Sequence, residues 1–122
     1  MPAPAQEFPK ALRLRKRKEF LALQEGGKSL QVSAACLLAL ALPNGMDHAR
    51  LGLTVSSKVG NAVVRNRIRR HLRQLFRTRI EELPKGIDVV LIARSSAAKA
   101  SREDFARAFG TVAQQLQRKV VA

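Results

Sequence analysis

The chain has 122 residues, 46% of them apolar, and carries 23 lysines and arginines against 9 acids, a formal net charge of +14. This length allows one domain with a modest core and excludes neither order nor solubility. The single cysteine, Cys36, excludes an internal disulfide and a multi-cysteine zinc site, and the longest apolar run, Ala34 to Leu42, is too short to span a bilayer.

Met1 to Pro9 holds three prolines, and residues 1–12 are expected to form a flexible tail ahead of a single domain over 13–122. Arg13 to Glu25 reads as a short helix ended by Gly26-Gly27, with Phe20, Leu21, Ala22 and Leu23 on a buried side. At such a position Phe20 is an ordinary core residue unless other observations give it a base to stack on. Leu30 to Leu42 is strand-like, with helix as the alternative because of its alanines and leucines. Two features favour strand: the turn signal Pro43-Asn44-Gly45, and the alternation of Leu51, Leu53 and Val55 beyond it. Together the two runs predict an antiparallel pair joined by a loop over residues 43–48, with Ser33-Ala34 as a break in the first strand.

Lys58 to Arg79 is the central stretch. Val64, Ile68, Leu72, Leu75, Phe76 and Ile80 recur at helical spacing. On the same helix Arg69, Arg73 and Arg77 form one row with Arg70 and Asn66 beside it, while Arg65 borders the apolar stripe and Arg67 points to the far side. Gly60-Asn61 is the expected start, since Asn is a favoured N-cap and Gly lets a phosphate come close. Beyond it, Pro84-Lys85-Gly86 stops the chain, and Ile87 to Ala93 predicts an interior strand. Ser101 to Asp104 has the spacing of a capping box and opens a helix to about Lys119, with Phe105, Phe109, Val112, Ala113, Leu116 and Val120 as its stripe. The order α-β-β-(β)-α-β-α describes an α+β fold, one small sheet packed with helices.

The charge is concentrated. Lys10 to Lys18 holds six basic residues and Lys58 to Arg79 eight, neither with an acid; the other nine basic residues equal the acids in number. Neither segment contains a carboxylate of its own, and only Arg15 and Arg77 have one four residues on, Glu19 and Glu81, so a polyanionic partner is expected, and guanidinium favours bidentate phosphate contacts. Nucleic acid fits best; an anionic membrane is the competitor, opposed by the core-like second face of the helix and the lack of Trp. Catalysis by side chains has little support: His48 and His71 lack a partner at a recognisable spacing, and Glu81-Glu82 and Glu103-Asp104 are adjacent pairs near helix ends. His71, flanked by Arg70 and Arg73, is expected to be pushed towards its neutral form. Glu82 or Glu81 is expected to pair with Arg77 or Lys85. No secretion signal is read in residues 1–20, and a cytoplasmic location is expected.

The run Lys58-Val-Gly60-Asn-Ala62, followed by Arg65-Asn66-Arg67, Ile68-Arg69-Arg70 and Arg73, resembles the signature of the bacterial ribonuclease P protein subunit. The resemblance extends over about residues 12–118, through Arg13-Leu14 to Glu19-Phe20, Leu51 to Ser56, and Asp88 to Arg94. It implies a non-catalytic subunit of a ribonucleoprotein endonuclease that removes the 5′ leader of precursor tRNA. The chemistry would belong to a catalytic RNA and its Mg2+, with no cofactor bound by the protein alone. The implied fold is similar to the second domain of ribosomal protein S5, with a left-handed strand-helix-strand crossover around the basic helix. Implied partners are the catalytic RNA and precursor tRNA, with no membrane and no stable homo-oligomer.

By this resemblance Lys58, Asn61, Arg65, Asn66, Arg67, Arg69, Arg70 and Arg73 meet the RNA. Phe20, Gln24, Cys36 and Leu38 line a leader cleft between the first helix and the sheet, and Arg13, Arg15, Lys16, Arg17 and Lys18 add basic contacts. Alternation puts Cys36 and Leu38 on one strand face. Gln24 and Leu38 stand where the family often has aromatics, which shifts leader binding from stacking towards backbone electrostatics. A ribosomal or general RNA-binding protein of similar fold is the alternative reading.

Overall fold

Two apolar runs explain the sheet. Leu37–Pro43 alternates buried with half-buried residues, whereas Ile87–Ala93 is buried at six of its seven positions. A strand covered on both faces belongs in the interior of a sheet. The computed structural model describes residues 30–121, and there the strands β1 (Leu30–Ala34), β2 (Leu37–Pro43), β3 (Arg50–Thr54) and β4 (Ile87–Ala93) form one sheet in the order β1-β2-β4-β3. Its helices are α1 (Ala62–Arg79) and α2 (Arg102–Val121), with short 3-10 turns at Ile80–Glu82 and Ser95–Lys99. The α+β architecture agrees with the expected one. The tail, the helix expected over Arg13–Glu25, and the residues Phe20, Gln24, Arg13, Arg15, Lys16, Arg17 and Lys18 lie outside the described residues.

The expected break in the first strand is real but falls at Ala35-Cys36 rather than Ser33-Ala34. There the chain reverses with Ala35 at φ 49°, and β1 pairs antiparallel with β2. The expected antiparallel pairing of residues 30–42 with 49–56 is corrected: β4 lies between them. It pairs antiparallel with β2, Leu38 opposite Ile92, and parallel with β3, Leu51 opposite Val89. The reason is apolar demand. β4 is hydrophobic on both faces and takes the central place, so the loop after β2 crosses over it instead of closing a hairpin.

That crossing is pinned by polar contacts at the start of β4. Asn44 donates its backbone N–H to Gly86 O at 2.8 Å, and its Nδ2 to Asp88 Oδ1 at 2.9 Å and to His48 O at 3.2 Å. Arg50, opening β3, grips both Asp88 oxygens at 2.8 and 2.7 Å. Gly86 sits at φ +77°, and a Cβ there would lie 2.8 Å from Met46 O, so the loop requires glycine.

One face of the sheet carries both helices. Ile68, Leu72 and Phe76 of α1 and Phe105, Phe109, Val112 and Leu116 of α2 are buried with Val32, Leu37, Ala39, Leu51, Val89 and Leu91. The α1 stripe is thus the expected one, with Val64, Leu75 and Ile80 half-buried at its margins. The capping box also forms: Ser101 N–H donates to Asp104 Oδ2 at 2.8 Å, and Asp104 N–H to Ser101 Oγ at 3.1 Å. On the other face Val90 packs with Leu42 and Ile92.

Candidate nucleic-acid interface

Helix α1 opens as its sequence dictates. Asn61 accepts the Val64 N–H at 3.0 Å, and no acid follows in the first turn. The helix dipole's positive end is therefore left without the side-chain carboxylate that often neutralises it. Gly60 has a structural reason as well: a Cβ there would come within 2.9 Å of Val64 Cγ1. Lys58 is exposed in the turn before the cap, its backbone N–H 3.3 Å from Ser56 Oγ.

Docking the Ile68-Leu72-Phe76 stripe leaves Asn66, Arg70 and Arg73 exposed on the opposite side, with Arg69 and Arg77 half-exposed beside them. Among the described residues, none of Arg65, Arg67, Arg69, Arg70 and Arg77 forms an ion pair with a carboxylate. Arg69 is steadied by Asn66, donating to its Oδ1 at 3.2 Å. Arg65 folds back over the helix start, Nε to Gly60 O at 3.2 Å.

Two arginines of the run serve the fold. Arg67 points to the far side as expected, where its Nη2 donates to Ala98 O at 2.7 Å and its Nε is buried without a hydrogen-bond partner. Arg79 chelates Glu82 at 2.7 Å, donates to Ala106 O at 2.9 Å and lies over the Phe109 ring at 5.3 Å. Glu82 therefore pairs with Arg79, not with Arg77 or Lys85 as expected. Three residues on, rather than four, is the spacing the 3-10 turn brings within reach.

His71 lies on the seam between the helices, stacked on Phe105 at 5.6 Å. Burial pushes its pKa down, and Arg102, Arg67 and Arg70 push the same way. The sequence foresaw the downward direction and the part of Arg70, but not the burial, the stacking, Arg67 or Arg102, and Arg73, expected to act with Arg70, is not among the causes. The signal for Arg102 was present: it precedes Phe105, Ala106 and Phe109 at i, i+3, i+4 and i+7, the stripe that meets α1.

The two sheet residues expected in a common cleft separate. Leu38 is half-buried on the face away from the helices, in a cross-strand row with Ser33, Ile92 and Thr54. Cys36 lies in the turn before β2, where strand alternation does not apply, and it is buried in the main core against α2. Burial pushes its thiol pKa up, which makes it a poor nucleophile. Among the described residues no group of three His, Cys, Asp or Glu side chains is placed to hold a metal, and no helix is long and apolar enough to cross a membrane.

The fold and the site define a class: a small basic α+β protein that docks one helix by an apolar stripe and presents an arginine face on which Arg69, Arg70 and Arg77 have no carboxylate partner among the described residues. A sequence profile of ribonuclease P matches residues 8–117. The ribonuclease P protein component of Thermotoga maritima is 39% identical over 112 residues, 91% of each chain. That of Gluconacetobacter diazotrophicus is 48% identical over 86 residues, 70% of this chain and 73% of the relative. Among solved structures, the ribonuclease P protein of Staphylococcus aureus superposes with a TM-score of 0.75 at 28% identity, covering 91% of this chain and 96% of that one. The Thermotoga maritima protein gives 0.71 at 34% identity, covering 87% and 96%. The chain belongs to the ribonuclease P protein family.

Proposed function

We propose that this chain is the protein subunit of ribonuclease P, binding the catalytic RNA through α1 and assisting removal of the 5′ leader from precursor tRNA. The observation that carries the reading is the two-sided helix. Ile68, Leu72 and Phe76 are fully buried, while Arg69, Arg70 and Arg77 on its outer side have no carboxylate partner among the described residues. Holding these charges together costs repulsion that phosphates relieve. Lys58, Asn61 and Arg65 at the helix start, and Asn66 and Arg73 on its outer side, belong to the same RNA contact, with residues 13–122 as one RNA-binding domain. Arg67 contributes by fixing the neighbouring 3-10 turn.

The leader is held beside Leu38 on the sheet face away from the helices, with Phe20 from the preceding segment as its stacking residue. The chemistry is assigned to the RNA and its Mg2+, and the site of action to the cytoplasm. The test is reconstitution. Protein alone should leave precursor tRNA uncut, and added to its own folded catalytic RNA at physiological magnesium it should raise the cleavage rate sharply. Tight RNA binding with no gain in cleavage would instead favour a general RNA-binding role.

A further inference from the structure

The two helices meet along an ordered seam. Ala98 O accepts from Arg67, Phe105 stacks on His71, Ala106 O accepts from Arg79, Phe109 lies under the same guanidinium, and Glu82 O accepts from Gln117. Residue numbers rise together on both sides, so the first turn of α2 lies beside the first half of α1. Arg102 is the first residue of α2 and belongs to the stripe of Phe105, Ala106 and Phe109, one turn ahead of them. The seam therefore carries it towards Arg67 and Arg70. It is exposed and has no hydrogen bond or ion pair among the described residues. The neighbouring acids do not neutralise it: Asp104 is engaged by Ser101 and Arg107, and Glu103 is turned about 100° round the helix. The lowered pKa of His71, to which Arg102, Arg67 and Arg70 all contribute, agrees with cations converging there.

From this geometry we propose that Arg102 is a further RNA-phosphate contact, extending the arginine face of α1 across the helix seam onto the start of α2. The proposal rests on the reading of α1 as an RNA-binding helix and adds a residue about thirty positions beyond the signature. Arg67, by holding Ala98, sets the distance between the two parts of the surface.

The test measures binding of the full chain to the in vitro transcribed catalytic RNA over a range of salt. Wild type is compared with Arg102→Ala, Arg102→Lys and Arg118→Ala. Arg118 is an exposed control about 24 Å further along the same helix, more than two Debye lengths away at 0.1 M salt. Arg102→Ala should flatten the slope of log K against log[salt] by roughly 0.7–0.9, Arg102→Lys should restore it, and Arg118→Ala should leave it unchanged. An unchanged slope in Arg102→Ala, or an equal loss in Arg118→Ala, overturns the proposal while leaving the α1 reading intact. A wild-type protein that binds this RNA without salt dependence overturns both. Should circular dichroism show that the alanine variant has lost its fold, Arg102→Gln takes its place and is judged by the same slopes.

Discussion

Asp88 joins the two parallel strands that flank α1, and replacing it by Asn tests what holds that crossover. Its carboxylate accepts from Arg50 at 2.8 and 2.7 Å and from Asn44 at 2.9 Å, and the Arg50 and Asp88 side chains are 14% and 12% exposed. Asn keeps one acceptor but turns an NH2 towards a guanidinium that can only donate. Breaking a buried ion pair costs about 3–5 kcal/mol, and the residual exposure places this one near 3. At about 4 °C per kcal/mol for a domain of this size, Tm should fall by roughly 12 °C in calorimetry. A double-mutant cycle with Arg50→Met should give a coupling of about 2 kcal/mol. Because Asp88 touches no arginine of α1, the salt slope of RNA binding at 25 °C should stay at its wild-type value. A Tm within about 3 °C of wild type, or a coupling near zero, would refute the view that this pair locks β3 to β4.

Replacing Arg69 and Arg70 together by Ala should flatten the salt slope of RNA binding by roughly 1.4–1.8 with little change in Tm; a wild-type slope would mean these side chains do not meet phosphate. His71 has a folded pKa below its unfolded value, so the stability of its neutral form is full above about pH 6.5 and is lost as pH falls through the folded value. Denaturant midpoints at pH 7.5 and 5.5 should therefore differ less for His71→Gln than for wild type, and equal differences would rule out this ring as the source. Phe20→Ala should weaken binding of leader-bearing precursor more than of mature tRNA. Equal losses would return Phe20 to an ordinary core role.

The local physics of the chain was readable from the residues. The α1 stripe, the Asn61 cap, the Ser101–Asp104 box and the interior character of Ile87–Ala93 each come from spacing and side-chain chemistry within a few turns. Pairing was not readable in the same way. Alternation in Leu37–Pro43 and Arg50–Thr54 shows that both are strands, yet which neighbour each takes depends on a third strand more than thirty residues away. The arginines divide for a related reason. Arg67 and Arg79 bond to backbone carbonyls of Ala98 and Ala106, acceptors that every residue carries and no sequence pattern marks. Cys36 shows the limit of alternation, because it sits in the two-residue turn Ala35-Cys36, where the chain reverses and the face order of β2 does not extend to it.

The order β1-β2-β4-β3 has a consequence for synthesis of the chain. The first two strands can pair as soon as they emerge, but β3 has no neighbour until β4 has been made, after the whole of α1. A nascent chain stopped before Ile87 would thus carry an unpaired third strand and a basic helix with its greasy side uncovered. Ribosomes release the most highly charged part of this protein before the strand that secures it, so maturation of the sheet is delayed to the last third of translation.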